Sequence, residues 1–84
     1  MIETEVPGWA ERLRAAREAA GLNRREAAEK LDLAITTYAG YETGQREPRF
    51  SMVVQICALL RITPNHLFLG KEEAPISRLN LTAA

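Results

Sequence analysis

The side chains able to do chemistry in this 84-residue chain are arginines, threonines and scattered carboxylates, with one His, His66, and one Cys, Cys57. A lone His with no carboxylate or thiol partner in sequence range makes no metal site, and a single Cys excludes an internal disulfide and a multi-thiolate metal centre. Cys57 lies in an apolar segment and reads as a buried, inert thiol; His66 reads as a surface residue. There is no glycine-rich phosphate loop, nucleophile elbow or paired set of metal ligands. Catalysis, a cofactor and a metal are therefore not expected. What remains is charge and hydrogen bonding, concentrated in and just beyond residues 23–44. The guanidinium forks of Arg24, Arg25, Arg46 and Arg49 suit anions, and the hydroxyls of Thr36, Thr37 and Thr43 can donate or accept.

Two short helices must position these groups, and the spacing supplies them. Asn23 can cap a helix while Glu26, three residues on, reaches back to the cap's own N–H, so a helix is expected to start at Arg24. Ala27, Ala28 and Leu31 recur at helical spacing, leaving Arg24, Arg25, Glu29 and Lys30 for the wet side. Ala28 is small enough for a close helix crossing. Asp32 tolerates the left-handed backbone of a sharp stop, Leu33 returns to the core, and a second helix resumes near Ile35 and ends at Gly44. Tyr38 and Tyr41 fall on its inner face, as core aromatics with hydroxyls in water. Thr36, Thr37, Gly40 and Thr43 look outward. Two helices joined by so tight a turn form a helix-turn-helix, which makes duplex DNA the first partner to consider.

The rest of the chain leaves room for three more helices. Pro7-Gly8 breaks a leader (residues 1–8), and Trp9, Leu13, Ala16 and Ala20 define a first helix ending at Gly21. Phe50, Val53, Val54, Ile56, Cys57 and Leu60 make a fourth, starting close to Ser51, apolar around most of its girth and therefore central. Thr63 as cap and Pro64 at the first position open a short fifth helix carrying Leu67 and Phe68, closed by Gly70. The expected class is all-α: one compact five-helix domain over residues 9–70, followed by a tail, residues 71–84, that is either disordered or lays Ile76, Leu79 and Leu81 on a neighbour. No apolar run approaches the roughly 20 residues of a membrane span, and residues 1–9 lack the basic start and apolar block of a signal peptide, so the expected location is cytoplasmic, at the nucleoid. Eleven basic side chains balance eleven acidic ones. Within residues 9–70 the basic excess is only two, so non-specific attraction to DNA should be modest.

From Leu13 to Gly70 the chain resembles the Cro/cI-like, or xenobiotic-response-element, helix-turn-helix family of phage repressors, antitoxins and small bacterial regulators. The ordered set that carries the likeness is Leu13, Arg17, Gly21, Leu22, Ala28, Leu31, residues 37–42 (TYAGYE), Gly44, Arg46, Pro48, Leu60, Ile62 and Leu67. The resemblance implies a lambda-repressor-like five-helix fold in which the second and third helices read DNA. It implies phosphate contacts from Asn23, Arg24, Thr43, Arg46 and Arg49; Arg25 is either a further contact or merely solvated. Base reading would fall to Ile35, Thr36, Thr37 and Gly40. Here the chain departs from better-known members, which carry long amides, Arg or Lys at these positions. Ile35 and the Thr methyls suit the thymine methyl, Thr36 can bond any base edge, and Gly40 contributes no side chain. Either specificity leans on methyls, water and DNA shape, or reading has decayed. The resemblance further implies a structural ion pair between Arg17 and Glu42 and a dimer surface around Arg61, Ile62 and Thr63.

The reading that follows is a non-enzymatic, sequence-specific regulator of transcription, a repressor by resemblance, that binds double-stranded DNA as a homodimer. The alternative is an antitoxin-like or scaffold module that keeps the fold but holds a partner protein, such as a toxin. Zero net charge and the undecorated third helix give that alternative its weight.

Overall fold

Leu13, Tyr38, Ile56 and Leu67 are the largest side chains fully withdrawn from solvent, and each comes from a different helix. The computed structural model describes residues 6–70. Its elements are α1 (Gly8–Ala19), α2 (Arg24–Lys30), α3 (Ile35–Thr43), α4 (Phe50–Leu60) and α5 (Asn65–Leu69), the last wound as a π-helical turn. No strand occurs among the described residues. The tail that was expected to dimerise or to be disordered lies outside them, as do residues 1–5.

Helix ends are set by local chemistry. Asn23 Oδ1 accepts from the Glu26 N–H at 2.7 Å and Glu26 Oε1 accepts from the Asn23 N–H at 2.8 Å, the reciprocal box expected at the start of α2. α2 stops at a left-handed Asp32 (φ 60°), where the Leu33 N–H reaches back to the Ala28 carbonyl at 2.8 Å. Gly44 (φ 80°) ends α3 in the same way, with the Gln45 N–H on the Gly40 carbonyl at 2.9 Å. α4 also ends in a left-handed residue, but there it is Arg61 (φ 60°), which lacks a glycine's freedom. Thr63 caps α5, its Oγ1 accepting from the His66 N–H at 3.0 Å.

The core is Leu13 of α1, Ala27 and Ala28 of α2, Leu31 beyond it, Tyr38 and Tyr41 of α3, Val53, Ile56, Cys57 and Leu60 of α4, and Leu67 of α5. Ala28 is 1% exposed. α4 is less central than its composition suggests: Phe50 is 80% exposed and Val54 50%. Phe50 is the first residue of its helix, so its periodicity has no preceding turn to hold it against the core. α5 is fastened to α1 by Arg12, whose Nε donates to the Leu67 carbonyl at 2.8 Å and Nη2 to the Phe68 carbonyl at 3.0 Å. Trp9 and Phe68 add a tilted ring contact with centroids 6.1 Å apart.

Candidate nucleic-acid interface

The helix-turn-helix is held from behind by one carboxylate. Glu42, near the end of α3, has a side chain with no solvent exposure. Its Oε2 accepts from Arg17 Nε at 2.6 Å and from the Tyr38 hydroxyl at 2.6 Å; its Oε1 accepts from Arg17 Nη2 at 3.0 Å and Arg24 Nε at 3.0 Å. Arg17 Nη1 also donates to the Leu22 carbonyl at 2.8 Å. One acidic group thus ties α1, α2 and α3 together, with the bidentate geometry that suits arginine. Burial alone would raise the carboxyl pKa, but hydrogen bonds from Arg17, Tyr38 and Arg24 outweigh it and hold Glu42 below the ordinary range. Arg17 is shifted up, chiefly by its bond to Glu42, and burial pushes the Tyr38 phenol up. The Tyr38 hydroxyl was expected in water. It is instead buried in the cluster, because a carboxylate so enclosed needs every donor within reach.

Ile35 and Thr36 are exposed at the start of α3, and Thr37 is half-buried. Gly40, expected to lie open on the same face, is buried: the backbone turns at Gly44 and Arg46 folds back across it. A Cβ built on Gly40 would lie 3.0 Å from Arg46 Cδ and 3.1 Å from its Cγ. Among the expected phosphate contacts, Asn23, Arg25, Thr43, Arg46 and Arg49 are exposed. Asn23 spends its oxygen on the cap, leaving its amide N–H groups. The Thr43 hydroxyl donates to the Gly40 carbonyl at 3.2 Å, so a phosphate contact would require its rotor to leave that carbonyl. Arg24 is half-buried with its Nε committed to Glu42, so the outer guanidinium nitrogens are what it can offer an anion. The sequence reading lacks that commitment, the Tyr38 bond and the Arg12 clamp. The Tyr38 bond joins residues four apart on α3, a spacing that places both on one helix face and could have signalled it. The Arg24 commitment and the Arg12 clamp join separate helices, and no local spacing signals them.

Arg61 is exposed at the end of α4, Ile62 packs against the core, and Thr63 is occupied as a cap. Beside them runs an open groove between α1 and the end of α4, lined by Ala15, Ala16, Ala19, Leu59, Ile62 and His66 among others. His66 is half-buried there and not simply on the surface. Cys57 is buried, and burial raises its pKa, as an unreactive thiol requires. Among the described residues no His, Cys, Asp or Glu cluster could hold a metal, and no helix is long and apolar enough to cross a membrane.

The same arrangement recurs in known proteins. A helix-turn-helix domain family matches residues 10–67. The HTH-type transcriptional regulator ImmR of Bacillus subtilis (strain 168) is 35% identical over 71 residues, covering 84% of this chain and 54% of that protein, so the chain spans about half the length of this curated relative. The restriction-modification controller protein C.AhdI from Aeromonas hydrophila shares 31% identity at a TM-score of 0.67, over 73% of this chain and 92% of that one. The clp gene regulator ClgR from C. glutamicum, at 20% identity and a TM-score of 0.70 over 80% of this chain and 91% of that one, has the same fold. With its capped α2, tight turn and outward-facing α3 locked on one buried carboxylate, the chain belongs to the Cro/cI-like helix-turn-helix family.

Proposed function

We propose that the chain binds operator DNA as a homodimer and represses transcription, each protomer laying α3 in the major groove of one half-site. The observation that carries this reading is the rigid α2–α3 unit: α3 is fixed by Glu42 from behind, while Ile35 and Thr36 stand exposed in front. Arg24, Arg25 and Arg49 supply phosphate contacts that set register, and Asn23 adds amide donors. Ile35 and the Thr36 methyl read thymine methyls, and the Thr36 hydroxyl bonds a base edge. The dimer forms around Arg61, Ile62 and the adjoining Ala-rich groove, which spaces the two reading helices by one helical turn, ~34 Å. The descriptions of ImmR and C.AhdI, a transcriptional regulator and a controller protein, support the regulatory sense.

The test is binding to the duplex upstream of the chain's own gene against a scrambled duplex, at several salt concentrations. Preference of ~10³-fold or more is expected. Equal, weak binding to both with a shallow salt slope overturns the reading. That outcome favours the second one, a protein-interaction module that seats a partner such as a toxin in the apolar groove, a reading to which the zero net charge lends support.

A further inference from the structure

Gly40 lies at the centre of the outward face of α3, one turn beyond Thr36, and its backbone is ordinary helix with no positive φ to explain a glycine. The space a side chain would take is filled by another residue. Arg46 runs over Gly40 so closely that its Cδ, Cγ and Nε lie 3.0, 3.1 and 3.4 Å from where a Cβ would stand. The path is set by the backbone: the N–H groups of Gln45 and Arg46 both donate to the Gly40 carbonyl, at 2.9 and 3.1 Å, which folds the chain after Gly44 back along the helix. Among the described residues the Arg46 guanidinium has no hydrogen-bond or ion-pair partner, and the residue is exposed. A long cationic fork therefore emerges from the middle of a reading surface whose own side chains are short.

We propose that Arg46, transplanted onto α3 across Gly40, is the specificity-determining residue of the interface and binds the O6 and N7 edge of a guanine in the major groove, not a backbone phosphate. This rests on the DNA-binding reading above and replaces the phosphate role first expected of Arg46. The chemistry follows from the shape of the fork: two parallel N–H donors match the two acceptors that guanine alone presents there. Gly40 is then a specificity residue at one remove: a Cβ there already crowds Arg46 Cδ and Cγ at 3.0 and 3.1 Å, and a longer side chain would take the arginine's place over the helix.

The experiment selects a preferred duplex for the wild-type chain from a randomised library and then measures affinity for every single-base-pair variant of it. Arg46→Lys keeps the charge but loses the fork. It is expected to lose ~10-fold or more of the preference at one G·C pair per half-site, with the other positions and the salt slope unchanged. Gly40→Leu, which favours the helix over glycine and whose folding is checked by thermal melting, keeps Arg46 but displaces it. The same preference should be lost at the same base pair. An unchanged preference profile in Arg46→Lys, or in a folded Gly40→Leu, overturns the proposal. If the wild-type chain selects no duplex at all, the DNA-binding reading fails first and the proposal falls with it.

Discussion

Replacing Glu42 by Gln should cost as much stability as emptying a core position. The side chain has no solvent exposure and its two oxygens receive four hydrogen bonds, two from Arg17 and one each from Arg24 and Tyr38. Glutamine keeps the length but removes the charge, and its amide N–H groups turn toward donors. The Arg17 guanidinium, 9% exposed, loses its buried counter-charge and keeps only the exposed Glu18 carboxylate at 3.9 Å. Breaking one half of a buried pair costs about 3–5 kcal/mol. A chain of this size has roughly 4–13 kcal/mol in total at 0.05–0.15 kcal/mol per residue. Each kcal/mol is worth about 4–8 °C in a small domain, so the melting midpoint followed by circular dichroism should fall by at least ~12 °C. The double variant Arg17→Met/Glu42→Leu removes both charges together and should recover part of that loss, because a buried pair is often replaceable by apolar groups, less the cost of leaving the buried Tyr38 hydroxyl and the Leu22 carbonyl without their partners. A loss under ~1 kcal/mol in Glu42→Gln, or a double variant worse than the single one, would refute the view of Glu42 as a desolvated hub.

Acid should unfold the wild-type chain more steeply than Glu42→Gln: the Glu42 pKa is depressed in the folded state, so its contribution is complete above the unfolded value near 4.5 and is lost as pH falls through the lower folded value, which urea midpoints between pH 7 and pH 2 would follow. Arg61→Gly should stabilise by about 0.5–1 kcal/mol in chemical denaturation, since relief of a left-handed non-glycine residue outweighs the entropy glycine adds to the unfolded chain. Phe50→Ser should change stability by no more than about 0.5 kcal/mol while Ile56→Ala, at a site with no exposure, costs about 2–5 kcal/mol; equal effects would mean that α4 packs by composition and not by face. With Arg24, Arg25 and Arg49 on phosphates in each half of a dimer, the log–log slope of affinity on salt should be near −5, and a slope near zero would show that net charge, not placement, governs binding.

Periodicity and capping chemistry made the backbone legible: the Asn23–Glu26 box, the left-handed stop at Asp32 and the helix resuming at Ile35 stand where spacing puts them. These are local events, each decided within a few residues by steric and hydrogen-bonding rules that the sequence displays directly. Long side chains are different. The wheel assigns Arg24 to the wet face of α2, yet the flexible stem reaches the Glu42 carboxylate on the next helix. It assigns Arg12 no role, yet the same reach spans 55 residues of sequence to the end of α5. Gly40 fails for the converse reason: its face is outward by period, but an empty position invites a neighbour in, and Arg46 takes it.

Those departures also change how the charge balance reads. Arg17 and Glu42 neutralise each other inside the fold, so neither faces a ligand, and Arg24 is partly spent on the same carboxylate. A sum over the sequence weighs these groups equally with Arg25, Arg46 and Arg49, which are exposed and have no ion pair among the described residues. Coulomb attraction falls with distance and is screened within about 8–10 Å at ordinary salt. A phosphate at the face of α3 therefore responds to the cations beside it and very little to acidic side chains remote from that face. The zero net charge describes the chain as a solute; the interface is set by which of its arginines are left free.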